Sequence, residues 1–111
     1  MGIFINGAWG TVCDDAWEAS DALVVCNQLG LTGPETPEAR LQASFGEGSG
    51  PIHFRRVACT GIEAILANCS HETNTDVCQH SEDAGVVCPG YTGKTIPLNA
   101  AINYTMSCKL T

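Results

Sequence analysis

The chain has 111 residues and a formal net charge of −7, a length that suits one domain. Only five residues are Lys or Arg, so we expect no nucleic-acid partner, because binding phosphates requires clustered basic side chains. The seven cysteines are a large excess for this length and indicate disulfides that supplement a modest core. Together these features predict an extracellular protein that is not an enzyme.

The sequence has no apolar run of about 20 residues, the length that a membrane helix requires. It also shows no charged segment followed by an apolar segment at its start, the pattern of a signal peptide. Because a cysteine-rich extracellular protein needs such a signal, the sequence is interpreted as a piece of a longer chain.

Two short apolar segments at the N-terminus flank Asn6-Gly7. Asn-Gly favours the positive φ angles of a type I′ turn, so these segments predict a β-hairpin whose first strand is short, as if cut. Ser20 and Asp21 are good N-cap residues, and apolar residues then repeat at helical spacing as far as Gly30, a typical C′ residue. This pattern predicts one α-helix.

Residues 30–51 are rich in Gly, Pro, Ser and Glu and predict a long surface loop. Residues 52–59 alternate loosely and predict a strand. Thr60 and Glu63 have the spacing of a capping box, which predicts a short helical turn as far as Ala67.

Residues 84–88 predict the final strand of the domain. The composition changes at Pro89-Gly90, so we place the domain boundary near residue 89. Residues 90–111 are interpreted as a linker, a tail or the start of a neighbouring unit.

The spacing of the cysteines argues against structural zinc, whose ligands usually come in close pairs such as C-x2-C. The histidines are not spaced as a partner pair either. Three disulfides with one cysteine left over are favoured, although spacing alone does not choose among the possible pairings. The cysteines are Cys13, Cys26, Cys59, Cys69, Cys78, Cys88 and Cys108.

Four sequence motifs occur in a fixed order along residues 3–88. They are Trp9-Gly-Thr-Val-Cys-Asp-Asp15, Val24-Val-Cys-Asn-Gln-Leu-Gly30, Gly46-x-Gly-Ser-Gly-Pro-Ile52 and His80-Ser-Glu-Asp-Ala-Gly-Val-Val-Cys88. Together they resemble the scavenger receptor cysteine-rich (SRCR) domain. The resemblance implies that residues 1–89 form a small disulfide-rich α+β domain, in which a curved antiparallel β-sheet cradles one α-helix.

The same resemblance implies a disulfide pairing. The bridges would be Cys13–Cys78, Cys26–Cys88 and Cys59–Cys69. Leu31 stands where the eight-cysteine subgroup has an additional cysteine, so the chain resembles the six-cysteine, group A type. Cys108 falls outside the pattern. It would pair with a missing segment or another chain, or its unpaired state would be an artefact of truncation.

Similar domains bind a cation through an Asp pair and a Glu, and the matching residues here are Asp14, Asp15 and Glu63. Adjacent carboxylates suit Ca²⁺, which prefers hard oxygen ligands. The alternative is that the aspartates only accept hydrogen bonds from backbone amides of a turn and that Glu63 only completes its capping box. A second cation site of some relatives is expected to be absent, because Arg55-Arg56 and Val77 occupy its positions.

Arg55 and Arg56 are candidate contacts for an anionic ligand, because guanidinium groups bind carboxylate, sulfate and phosphate in a bidentate manner. The alternative is that they are ordinary exposed strand residues. Glu82-Asp83 could serve as paired carboxylates in catalysis, but we expect them to position the last strand through hydrogen bonds. Ser81 beside His80 is not expected to form a catalytic triad, because nothing orients either group.

Asn68 and Asn103 begin glycosylation sequons, and the first is doubtful if Cys69 is bridged in a tight loop. The resemblance implies an extracellular ligand-binding module of a secreted or membrane-anchored scavenger-receptor-like protein. Its ligands would be extracellular proteins or polyanions, with Ca²⁺ as a candidate cofactor. The alternatives are an accessory module of a larger secreted enzyme, such as a protease or oxidase, and a structural or adhesive spacer.

Overall fold

A computed structural model of the chain describes residues 1–89 and 106–109. This part of the chain contains one α-helix, α1 (Ala19–Gln28), and two short 3-10 helices, Leu66–Asn68 and His80–Glu82. Its strands are β1 (Gly2–Ile5), β2 (Ala8–Val12), β3 (Glu38–Arg40), β4 (Ile52–Ala58), β5 (Ser70–Glu72), β6 (Gly85–Val87) and β7 (Met106–Lys109).

The predicted hairpin is formed by β1 and β2, which pair in antiparallel fashion. Asn6 and Gly7 join them with φ angles of 53° and 81°, the left-handed values that a type I′ turn requires. On its other side β1 pairs with β7, so four residues of the segment interpreted as a linker or tail form a strand of the main sheet.

The main sheet has the strand order β5-β4-β2-β1-β7 and is mixed, whereas the resemblance implied an antiparallel sheet. The difference arises between β2 and β4, which are parallel neighbours. Parallel strands require a long crossover connection, and the chain from α1 to the end of the following loop provides it. The helix therefore lies between the two strands in sequence.

The segment 30–51 contains a strand that the sequence did not predict. β3 pairs with β6 in a separate two-stranded sheet, with Ala39 opposite Val86. The sequence Glu38-Ala39-Arg40 is too short to give an alternation signal of its own, and its two outer residues are exposed. The strand forms through its distant partner, so the loop prediction was wrong for these three residues.

Helix α1 begins earlier than predicted, with its N-cap at Glu18 instead of Ser20 or Asp21. Glu18 is the N-cap and Asp21 is at N3, where its carboxylate accepts the backbone N–H of Glu18 at 2.7 Å. The predicted C-terminus is confirmed, since Gly30 has a φ of 75° and Leu31 donates its N–H to the carbonyl of Cys26.

The helical turn predicted to begin after Thr60 is absent. The Glu63 carboxylate does accept the backbone N–H of Thr60, as a capping box requires, and it also accepts that of Gly61. Gly61, however, has a φ of 105°, which is outside the helical region. Helical structure appears only at Leu66–Asn68, as a 3-10 helix.

The core is formed by residues of α1, of the main sheet and of β6, and it contains few aromatic side chains. Trp17 is buried in it and donates its indole N–H to the carbonyl of Gly85 at 2.9 Å. Two polar side chains that enter the core accept hydrogen bonds from backbone, as burial demands. Asp21 accepts the N–H of Cys59 at 2.8 Å, and Gln28 accepts the N–H of Leu66 at 2.9 Å.

Candidate ligand-binding surface

Three disulfides fix the loops around the core, and they are the three pairs that the resemblance implies. Their Cα–Cα distances are 6.2 Å for Cys13–Cys78, 5.5 Å for Cys26–Cys88 and 4.7 Å for Cys59–Cys69. Cys108 lies in β7 opposite Ile3, and its side chain is outside the described part of the structure. Bridges that close long chain segments stabilise a small domain by restricting its unfolded state.

An acidic cluster forms where β2 ends. Asp14 donates its backbone N–H to the carbonyl of Glu82 at 2.8 Å, which brings the turn after Cys13 onto the 3-10 helix His80–Glu82. Ligand atoms of Cys13, Asp14, Asp15 and Glu82 all lie within 4.8 Å of one another. Cys13 is bonded to Cys78 and is no metal ligand, so three carboxylates remain. We call Asp14, Asp15 and Glu82 the acidic cluster.

Each carboxylate of the acidic cluster uses one oxygen in a contact with a neighbour. Asp14 accepts the backbone N–H of Gln42 at 2.7 Å, and Glu82 accepts that of Gln79 at 3.1 Å. Asp15 lies 3.4 Å from a guanidinium nitrogen of Arg55. These contacts orient the side chains, and the second oxygen of each carboxylate offers the type of ligand that Ca²⁺ prefers.

Glu63, the third predicted cation ligand, lies elsewhere. Within the described residues its carboxylate groups with Cys59 and Cys69, which form a disulfide, and not with Asp14 or Asp15. Its hydrogen bond from the backbone of Thr60 lowers the pKa of its carboxyl below the usual value of 4.5. In this structure Glu63 therefore serves the turn at Thr60, which is the alternative that the sequence had left open.

The two arginines have different environments. Arg55 has a side chain that is 18% exposed, and it lies between the carboxylates of Asp15 and Glu72. Arg56 has a side chain that is 63% exposed and contacts Glu72 at 3.3 Å. Its φ of 51° marks an irregularity in β4 that turns it away from the regular strand. Arg56 is thus the accessible member of the pair, and Arg55 supports Asp15.

The side chains of Glu82 and Asp83 contact loop residues more than they contact the last strand. Asp83 is 2% exposed, and its carboxylate accepts the backbone N–H of Gly48 at 2.7 Å and faces Nδ1 of His80 at 2.9 Å. The contact with the strand region is made by backbone, as Ala84 donates to the carbonyl of Val12. The expected positioning role thus falls on the backbone, while the Asp83 carboxylate holds the loop that contains Gly48.

His80 links the same loop to Asp83. Its Nε2 lies 2.9 Å from the carbonyl oxygen of Gly50, while Nδ1 faces the Asp83 carboxylate. Both neighbours are acceptors, so the arrangement favours an imidazolium that donates from both nitrogens. The hydrogen bond to Asp83 accordingly raises the pKa of His80 above 6.5, against the effect of burial.

Three predicted positions remain, Val77, Asn68 and Asn103. Val77 is 67% exposed. Asn68 ends the 3-10 helix Leu66–Asn68 and is exposed, next to bridged Cys69, and its glycosylation stays a prediction. Asn103 lies outside the described residues. Sequence reasoning missed the place of Glu82 in the cluster, although its motif with Cys88 was recognised.

Comparison with known proteins identifies the class of this domain. The family model described as "Scavenger receptor cysteine-rich domain" matches residues 1–89. Among solved structures, the third SRCR domain of murine neurotrypsin is 51% identical, with a TM-score of 0.71 over 78% of this chain and 80% of that one. The dimeric form of the SRCR domain of mouse MARCO is 40% identical, with a TM-score of 0.70 over 79% and 82%. The chain therefore belongs to the SRCR domain family.

The curated relatives are much longer proteins. A "Scavenger receptor cysteine-rich domain superfamily protein" of Patiria pectinifera is 51% identical over 89 residues, which are 79% of this chain and 8% of the relative. Galectin-3-binding protein of Pongo abelii is 46% identical over 101 residues, or 87% of this chain and 16% of the relative. The chain thus spans less than a fifth of the length of either protein.

The family and the disulfides agree on an extracellular location, because disulfides persist in oxidising surroundings. Among the described residues, no helix has both the length and the apolar character needed to cross a membrane.

Proposed function

We propose that this SRCR domain is the extracellular ligand-binding module of a secreted or membrane-anchored scavenger-receptor-like protein, and that it binds anionic groups of proteins or polyanions through Ca²⁺ held by the acidic cluster. The proposal rests on the convergence of Asp14, Asp15 and Glu82 within 4.8 Å. Ca²⁺ takes six to eight oxygen ligands. Three carboxylates leave part of its coordination sphere for ligand oxygens.

Arg56 supports an anionic ligand at the same place. Asp15, Ala16 and Arg56 line one open cavity of about 330 Å³. A sulfate or carboxylate seated there would meet the bound cation on one side and the exposed guanidinium group on the other. Arginine binds such groups in a bidentate manner. The comparison with Galectin-3-binding protein, whose name describes a protein ligand, fits a binding module as well.

Calorimetric titration with Ca²⁺ tests the cation. We expect binding in the wild type and a loss of about tenfold or more in affinity for Asp15→Asn, because the charge of the ligand set determines affinity for Ca²⁺. Glu35→Gln removes one charge from an exposed residue outside the cluster and should leave Ca²⁺ affinity unchanged. Equal weakening by both variants would show a general charge effect and would contradict the site.

Binding of dextran sulfate, measured with and without a chelator, tests the ligand. The wild type should bind dextran sulfate but not uncharged dextran, and the chelator should remove most of the binding. Arg56→Gln should weaken it without changing Ca²⁺ affinity. Binding that survives both the chelator and Arg56→Gln would place the anion elsewhere on the domain.

A further inference from the structure

A second concave region lies between β2 and the loop that precedes β4. It is lined by residues 9–11 of β2, by residues 45–49, and by Met1 and Gly2. We call it the Glu47 groove. Its volume is about 210 Å³, which is below the roughly 300–1,000 Å³ of pockets for small-molecule ligands. A space of this size fits one amino-acid side chain.

The loop wall of the groove is fixed by hydrogen bonds of the residues that follow Glu47. Gly48 donates its N–H to the buried carboxylate of Asp83 at 2.7 Å, and the carbonyl of Gly50 lies 2.9 Å from Nε2 of His80. One residue further, the carbonyl of Pro51 accepts the N–H of Thr11 at 2.9 Å. The position of Glu47 relative to β2 is therefore preorganised, which reduces the entropic cost of binding.

The glycines of this loop allow its close approach to β2. A Cβ atom at Gly48 would lie 2.6 Å from the side chain of Thr11, and one at Gly50 would lie 2.6 Å from the carbonyl oxygen of Trp9. Both distances are too short for real carbon atoms. The Gly46-x-Gly-Ser-Gly sequence therefore brings the loop that carries Glu47 close to the strand.

The chemistry of the lining selects a cation. Glu47 is the one charged side chain among the lining residues, and no Lys, Arg or His is among them. Two aromatic rings accompany it. Phe45 is 51% exposed, and Trp9 packs against Phe4 with ring centroids 5.3 Å apart. Aromatic faces attract ammonium and guanidinium groups and also cover the alkyl part of such side chains.

We propose that the Glu47 groove is a binding site for a Lys or Arg side chain of a protein partner. The cationic group pairs with the Glu47 carboxylate, and the alkyl stem lies against Trp9 and Phe45. The net charge of −7 favours the approach of a basic partner. This site is separate from the acidic cluster. Its cation is a side chain of the protein partner, whereas the cation of the acidic cluster is Ca²⁺.

The test uses the full chain, labelled with ¹⁵N, in the presence of a chelator so that the acidic cluster holds no Ca²⁺. The probe is Nα-acetyl-lysine amide, and Nα-acetyl-norleucine amide is its uncharged counterpart of similar shape. We expect millimolar titration with lysine to shift the Trp9 indole signal and the amide signals of Gly46 and Gly48. Norleucine should shift these signals at least about threefold less at equal concentration, because it lacks the charge.

Glu47→Gln should weaken lysine binding by about fivefold, as expected for an exposed ion pair, and Phe45→Ala should weaken it as well. Glu35→Gln is the matched control, because it removes the same charge from another exposed position and should have no effect. Three results would overturn the proposal: equal binding of lysine and norleucine, equal weakening by Glu47→Gln and Glu35→Gln, or shifts confined to Asp14, Asp15 and Glu82. None of them bears on Ca²⁺ binding, so the two proposals fail independently.

Discussion

Two carboxylates near the same sheet illustrate two uses of an acidic residue. Asp21, in the first turn of α1, is 1% exposed and accepts backbone N–H groups from Glu18 and Cys59 with its two oxygens. Asp15, after β2, has a side chain that is 41% exposed and contacts only one guanidinium group in the described structure. A carboxylate whose oxygens are all committed to backbone stabilises the fold. One with an oxygen to spare is available to a ligand.

The comparison predicts a large difference in stability between Asp21→Ala and Asp15→Ala. Removing Asp21 leaves the N–H of Cys59 buried without its partner and deletes the N3 half of the capping box. We expect a loss of about 2–4 kcal/mol in the free energy of unfolding. Asp15→Ala should cost less than about 1 kcal/mol, since it breaks a half-exposed ion pair. Urea unfolding of both variants provides the measurement, and similar losses would contradict the distinction.

His80 offers a way to sharpen the comparison, because it is the partner of another buried carboxylate. His80→Gln keeps a donor at this position but removes the imidazolium that links Asp83 to Gly50. The charged hydrogen bond is lost, so we expect a decrease of about 2 kcal/mol in the free energy of unfolding at pH 6.

The pH dependence of this effect has a defined sign. The folded-state pKa of His80 is raised above 6.5, chiefly by its hydrogen bond to Asp83. Its stabilisation is therefore complete below pH 6.5 and is lost as the pH rises through the folded-state pKa. Glu47 adds a further negative charge on the loop side. The difference between wild type and His80→Gln should shrink between pH 6 and pH 9; a difference that grew would contradict the assigned hydrogen bonds.

The features predicted correctly from the sequence depend on local chemistry. Asn6-Gly7 specifies its turn, and Gly30 ends α1, because each requires a positive φ. The N-cap was placed too late because Asp21 suits both N-cap and N3, and only its bond to Glu18 decides between them. The strand β3 has no local signal, since Ala39 pairs with Val86, which is far away in sequence.

The candidate site was predicted in part, for the same reason. Asp14 and Asp15 are adjacent and follow a cysteine, so they could be recognised as a pair. Glu82 lies beside them because two long-range contacts bring its segment there: the Cys13–Cys78 bridge, with a sequence separation of 65, and the hydrogen bond from Asp14 to the Glu82 carbonyl. No spacing rule predicts such a contact. Glu63, by contrast, has the spacing of a capping box with Thr60, which can be recognised in the sequence. Its carboxylate has this local role in the structure.

Replacing Glu82 and Glu63, one at a time, by glutamine tests which of them binds Ca²⁺. It gives the smallest expected effect. Glutamine keeps an acceptor for the N–H of Gln79 or Thr60, so each variant removes charge with little change in local structure. Glu82→Gln should weaken Ca²⁺ binding by about tenfold, or about 1.4 kcal/mol. Glu63→Gln should change it by less than about twofold, because its oxygens already accept the N–H groups of Thr60 and Gly61. A larger loss of Ca²⁺ affinity for Glu63→Gln than for Glu82→Gln in calorimetry would show that Ca²⁺ draws Glu63 away from Thr60. In that case the carboxylate oxygens that have no partner in the cation-free structure would not identify the Ca²⁺ ligands.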